Sequence, residues 1–227
     1  MSKAKTNAAM SALKLVPKKG AMGLGSGSTV AIFAKELGRL ESEGKTDIAV
    51  VPSSYQAYQL ANEYKIPLTN LDLNPELILT VDGADEVDRR LDLIKGGGGA
   101  FFQEKIVAAA SKKLIIVVDE SKLVEQLGAK FPTPVEVLPF SLGFVRRRVG
   151  AMGIDSSVRE AQGKLGPVVT DNGNFILDLR FSKAIDDPGR TAAELKMVPG
   201  VVETGLFAGM TDEVHVGTDA KSYVLRK

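Results

Sequence analysis

Three short segments concentrate side chains that could hold a small anion and move a proton. In Gly23-Leu24-Gly25-Ser26-Gly27-Ser28-Thr29, glycines let backbone amides approach a guest and hydroxyls add donors. The segment joins a short apolar run to the start of a periodic helix, whose dipole favours negative charge, so phosphate is the natural guest. Val81-Asp82-Gly83-Ala84-Asp85-Glu86 places three carboxylates within five residues at the end of an aliphatic run. Lys95-Gly96-Gly97-Gly98-Gly99 carries four consecutive glycines, and Ala100-Phe101-Phe102-Gln103 leads from there to Glu104. Such a stretch is costly in chain entropy and suits a backbone that curls around a small polar ligand. A fourth segment, Asp119-Glu120-Ser121-Lys122, again follows an aliphatic run, and its lysine could close on the same ligand.

These residue types suit the movement of a carbonyl between neighbouring carbons. That reaction removes a carbon-bound proton of low acidity and passes through an enediolate, so it needs a base and an electropositive group at the developing oxyanion. Glu104 is the candidate base and Lys95 the positive charge, while a second carboxylate could shuttle protons between the two oxygens. Triosephosphate isomerase, with its Glu base and neutral electrophile, shows that no metal is required. Each feature also has a structural reading. Residues 23–29 could be a tight strand–helix turn, and Asp82 or Asp85 could cap a turn or join a magnesium cluster. Glu104 could be a favourable charge in the first turn of a solvated helix, and Lys122 a solvated lysine.

Other chemistries find less support. A dinucleotide fingerprint would need a third glycine where Ser28 stands, and its acidic partner should end the second strand, whereas Asp47 precedes it; the Gly-Lys-Ser/Thr of a P-loop is missing. Cysteine is absent and His215 is the only histidine, which rules out thiolate chemistry and Cys/His zinc sites within one chain. In the alternating run Glu213-Val214-His215-Val216, His215 reads as a surface-strand histidine rather than a member of a Ser-His-Asp triad. The formal charge of +1, from 29 basic and 28 acidic residues, gives no field that would recruit nucleic acid or an acidic membrane. Arg146-Arg147-Arg148 therefore reads as a solvated helix face or an interface. The longest aliphatic run, 114–118, is far too short to cross a bilayer, and no N-terminal stretch resembles a signal peptide. A soluble protein is expected, and the lack of cysteine fits a cytoplasmic setting.

The elements that must position these groups alternate between helix and strand in the first part of the chain. Helical spacing appears at Ala9, Leu13 and Val16, at Val30, Phe33, Ala34, Leu37 and Leu40, and at Ala57, Leu60, Ala61 and Tyr64. Strands are expected at 48–51, 77–81 and 114–118, the last two being continuous apolar runs typical of a parallel sheet covered on both faces. A helix at about 100–112 should carry Glu104 in its first turns and Ile106, Val107 and Ala110 on its far, apolar face. In an open parallel sheet ligands bind beyond the carboxyl ends of strands, so the candidate segments should converge there. From Pro132 the pattern becomes strand 135–138, helix 141–152, strand near 154–159, a hairpin of 168–170 and 175–181, helix near 190–197 and strand 201–206. That order approximates a split βαβ unit, and a last hairpin at 213–225 is placed with the first domain. The expectation is a doubly wound, mostly parallel Rossmann-like α/β domain, 1–130 and 207–227, with a smaller ferredoxin-like α+β domain, 131–206.

Taken together, GLGSGSTV, VDGADE, KGGGGAFFQEK and DESK, with the later KFPTPVEVLP and VVTDNGNFILD, resemble the type A ribose-5-phosphate isomerase family over nearly the whole chain. The resemblance implies aldose–ketose isomerisation of ribose 5-phosphate in the non-oxidative pentose phosphate pathway, without metal or organic cofactor. It implies that Ser26, Gly27, Ser28 and Thr29 bind the sugar phosphate, that Asp82, Gly83, Ala84, Asp85, Lys95, Gly96, Gly97 and Gly98 line the substrate, and that Lys122 contacts it. Glu104 matches the proton acceptor, Asp82 the ring-opening and proton-shuttling acid, and Lys95 the stabiliser of the enediolate. Lys5 falls near an N-terminal lysine that reaches the phosphate in some members. A homodimer or tetramer is implied, with no nucleic-acid or membrane partner. The rival reading is a sugar-phosphate-sensing ligand domain without activity, which would usually carry a helix-turn-helix and would have no need of Glu104 with Lys95.

Overall fold

Val, Ile and Leu without polar alternation make a stable strand only where both faces are covered, and Leu114–Val118 is such a run, buried throughout. The computed structural model describes residues 2–227. In chain order the elements are α1 (Lys3–Leu13), β1 (Lys19–Leu24), α2 (Ser28–Ser42), β2 (Asp47–Pro52), α3 (Tyr55–Glu63), β3 (Thr80–Asp82), β4 (Glu86–Val87), β5 (Leu93–Ile94), α4 (Phe101–Ala109) and β6 (Leu114–Asp119). There follow β7 (Thr133–Val137), α5 (Leu142–Ala151), β8 (Asp155–Val158), β9 (Phe175–Arg180), α6 (Pro188–Lys196), β10 (Val201–Thr204), β11 (Leu206–Phe207), β12 (Glu213–Gly217) and β13 (Ser222–Arg226).

The chain divides into two compact units. The first comprises residues 2–84, Gln103–Leu123 and Met210–Lys227, the second Asp85–Phe102 and Val124–Gly209. In the first unit a six-stranded sheet runs β13-β12-β6-β3-β1-β2, parallel except for the β12–β13 hairpin. Its order turns around at β1 and β3, the switch point beside which doubly wound folds bind their ligands. Helices α1, α2 and α3 bury Ala8, Ala12, Phe33, Leu37 and Leu60 with Met22, Leu24, Val50, Val81 and Ile115 of the strands. On the opposite face Val107 of α4 packs with Ala21 and Val51. Sheet, helices and closing hairpin agree with the sequence pattern.

The second unit holds a four-stranded antiparallel sheet in the order β10-β7-β9-β8 and a three-stranded one, β11-β5-β4. The former, with α5 and α6, has the β-α-β-β-α-β order of a split βαβ unit. Its core is Val135, Val137, Val145, Val149, Leu177, Leu179, Leu195 and Val198.

Several expectations are corrected. Two short strands that the sequence pattern did not show, β4 and β5, pair with each other, and β5 pairs in turn with β11, all within the second unit. β9 pairs with β7 and β8, not with 168–170: Val168 donates to the Arg159 carbonyl at 2.8 Å and Thr170 to that of Asn174 at 2.9 Å, closing a turn rather than a ladder. Ile106 is exposed, whereas Val107 and Ala108 are buried. His215 is also buried, at 3% exposure, because α1 covers β12 and Ser11 bonds the His215 Nδ1 at 2.8 Å. Burial holds the His215 imidazole below its ordinary range, although the Glu213 carboxylate 3.5 Å from Nε2 pulls the other way.

Candidate functional site

At the carboxyl ends of β1 and β3 the first unit brings two of the predicted segments together. The Gly25 amide donates to the Val81 carbonyl at 2.9 Å, extending the ladder one residue past β1. A Cβ on Gly25 would lie 2.1 Å from the Asp82 carboxyl, so only glycine lets the backbone pass this close to the acid. Asp82, 1% exposed, accepts through Oδ1 from the amides of Ser26 at 3.1 Å and Gly83 at 2.7 Å. Loop and acid are thus one construction. Gly25→Ala is expected to displace the Asp82 carboxylate, lowering kcat by about 10–100-fold and stability by about 1–3 kcal/mol. Steady-state kinetics beside a urea melt would separate the two effects.

Gly27 precedes α2 with φ 101°, a left-handed conformation that favours glycine, and no side chain caps the helix. The first-turn amides therefore point toward the loop with the positive end of the helix dipole behind them. The Lys5 Nζ donates to the Ser28 Oγ at 2.9 Å, adding a cation to this anion-ready end. Thr29 is buried. Two residues that pattern reading passed over hold the loop from β2's end: the Ser26 and Ser54 hydroxyls are 2.7 Å apart, and Gln56 Oε1 accepts from the Gly27 amide at 2.8 Å. Applying the strand-end rule to β2 would have pointed to them.

Glu104 lies in the first turn of α4 and is 5% exposed. Val107 and Ala108 of the same helix are buried as well, so the alternative reading of Glu104 as a charge on a solvated face fails. Gly23 lets this helix settle on the sheet, since a Cβ there would stand 1.9 Å from Thr80 Oγ1 and 2.5 Å from Val107 Cγ1. Lys122 ends a single 3₁₀ turn that Asp119 caps by accepting from the Ser121 amide at 3.0 Å. The lysine is half-buried.

In the second unit Asp85, Lys95 and the glycine loop come together. Lys95 follows β5, and its amide donates to the Gly205 carbonyl at 2.9 Å. Its ammonium lies 5.5 Å from the centre of the Phe207 ring, at 3% exposure for the residue. The ring's negative face favours a cation in this nearly dry place. Gly96 and Gly99 have φ of 111° and 78°, and the Gly99 amide donates to the Gly96 carbonyl at 3.0 Å. Asp85 Oδ2 accepts from the Gly97 amide at 2.7 Å. No sequence signal marks Phe207 as the ring beneath Lys95. Among the described residues, no group of three or more His, Cys, Asp or Glu is placed to hold a metal ion, and no helix is long and apolar enough to cross a membrane.

The family profile for "Ribose 5-phosphate isomerase A (phosphoriboisomerase A)" matches residues 49–221. The ribose-5-phosphate isomerase A of Methanothermobacter thermautotrophicus is 48% identical over 222 residues, 98% of this chain and 97% of that protein. The chain belongs to the ribose 5-phosphate isomerase A family. The solved isomerase A from Methanocaldococcus jannaschii superposes with a TM-score of 0.94 at 44% identity, covering 98% of each chain. A D-ribose-5-phosphate isomerase solved in complex with phospho-erythronic acid superposes at 0.95 with 43% identity, over 98% of this chain and 97% of that one. The isomerase A fold thus accounts for both units of the chain.

Proposed function

We propose that the chain is a ribose-5-phosphate isomerase whose reacting groups are Glu104, Asp82 and Lys95. The observation that carries this reading is the anion-ready end of α2 built against the buried Asp82 carboxylate, in a chain 48% identical to a ribose-5-phosphate isomerase A across 98% of its length. Ser26, Gly27, Ser28 and Thr29 hold the phosphate, and Lys5 adds a positive charge. Gly83, Ala84, Asp85, Gly96, Gly97 and Gly98 line the sugar, and Lys122 contacts it. The Asp82 carboxylate takes the O1 proton as the furanose opens and returns it to the ring oxygen. Glu104 then removes the C2 proton of the open aldehyde. The electron pair forms the C1–C2 double bond of an enediolate, whose charge the Lys95 ammonium offsets. Asp82 moves a proton between O1 and O2, and Glu104 delivers its proton to C1, leaving the carbonyl at C2. Phospho-erythronic acid, bound by the related isomerase, ends in a carboxylate that shares one negative charge between two oxygens, as an enediolate does; the same capture is proposed here.

The chemistry is acid–base throughout and needs neither metal nor organic cofactor. The enzyme works in the cytoplasm as a homodimer or homotetramer. Purified protein with ribose 5-phosphate in excess EDTA is expected to form ketose phosphate at the rate seen without chelator. Failure to form ketose with or without EDTA would remove the isomerase reading, and loss on chelation alone would remove its metal independence.

A further inference from the structure

We propose that Arg159, held by Asp178, is a positioning residue that fixes the glycine loop carrying Lys95. Four glycines have little intrinsic preference for one path, and their freedom must be removed from outside. Arg159 follows β8 at the edge of the four-stranded sheet, and its own amide donates to the Ile176 carbonyl of β9 at 2.9 Å. Its Nη1 reaches the carbonyls of Gly96 at 2.7 Å and Gly97 at 3.2 Å. Its Nε donates to Asp178 Oδ2 at 2.9 Å, while Nη2 donates to Oδ1. The two side chains are only 16% and 17% exposed.

The Gly97 peptides are therefore gripped on both sides, at the amide by Asp85 and at the carbonyl by Arg159. A guanidinium suits this place because its planar fork can bond a carboxylate on one edge and carbonyls on the other, which a lysine ammonium cannot match. Asp178 offsets the charge of Arg159, so what the pair supplies is geometry. The inference rests on the isomerase reading for its kinetic consequence, because a displacement of Lys95 of about 1 Å is enough to slow turnover about 100-fold.

The test compares wild type, Arg159→Ala, Arg159→Lys and Asp178→Asn by hydrogen–deuterium exchange of the peptide covering 95–99 and by kinetics on ribose 5-phosphate. Arg159→Ala is expected to speed loop exchange by about tenfold or more and to lower kcat/KM by about 100-fold, with Arg159→Lys in between. Asp178→Asn should move both readouts the same way. A folded Arg159→Ala whose loop exchange and kcat/KM both stay within about threefold of wild type would overturn the proposal, as would lost activity with unchanged exchange, which would point to a role outside the loop. If Arg159→Ala does not fold, the other two variants decide by the same criteria. If wild type itself does not isomerise ribose 5-phosphate, the isomerase reading falls and the exchange data alone decide whether Arg159 holds the loop.

Discussion

Glu104→Gln is expected to lower kcat by about 10²–10⁴-fold, the usual contribution of a positioned general base. Glutamine keeps the size of the side chain, so the buried face formed with Phe101, Val107 and Ala108 gains no cavity. What is lost is an atom that can accept a proton from C2. The variant also gives up a negative charge in the first turn of α4, so a urea melt beside the kinetics reports any change in stability. Because a base acts mainly in the transition state, substrate affinity should stay within about tenfold. Initial rates, paired with equilibrium binding of ribose 5-phosphate, separate these terms. A parallel collapse of affinity would instead make Glu104 a binding residue.

The second large effect is expected at Lys95. Lys95→Met retains a long flexible side chain that can still lie against Phe207, but it removes the positive charge at the developing enediolate. Loss of one such group lowers kcat by about 10²–10³-fold. The substitution also removes the cation from over the Phe207 ring, so a urea melt beside the kinetics separates lost stability from the loss at the enediolate. Phospho-erythronic acid gives an independent readout. If it resembles the enediolate, its affinity should fall by a factor that follows kcat/KM, while inorganic phosphate, proposed to bind at residues 26–29, should be little affected. Unchanged affinity for the acid in Lys95→Met would contradict the assignment.

Much of this was legible in the residues because the strongest signals are local. The aliphatic run at 114–118 and the helical spacing at 30–40 need no distant partner to declare themselves, and both are realised as β6 and α2. The glycines and acids at 23–29 and 82–85 could be read as strand-end chemistry for the same reason, and Gly25 against Asp82 shows the two segments built together. Strands β4 and β5 were not legible: two residues carry no periodicity, and Leu93 and Ile94 pair with Val87 and Glu86 on one side and with Phe207 and Leu206, more than a hundred positions away, on the other. His215 misled because its neighbours alternate like a half-exposed strand. The alternation lost its meaning once β12 lay between β6 and β13 with α1 across it, where Val214, His215 and Val216 are all buried. Arg159 belongs to no motif, and Asp178 merely ends the VVTDNGNFILD segment; their pairing follows from the register of β8 and β9.

The central claim is that Glu104 carries the C2 proton, and the most direct measurement follows that hydrogen. Ribose 5-phosphate deuterated at C2 can be converted in water by wild type and by Glu104→Gln, with the ketose phosphate examined by NMR at C1. The expected result is rapid conversion by wild type with part of the deuterium lost to solvent, and almost none by Glu104→Gln. Turnover by Glu104→Gln close to the wild-type rate would contradict the account.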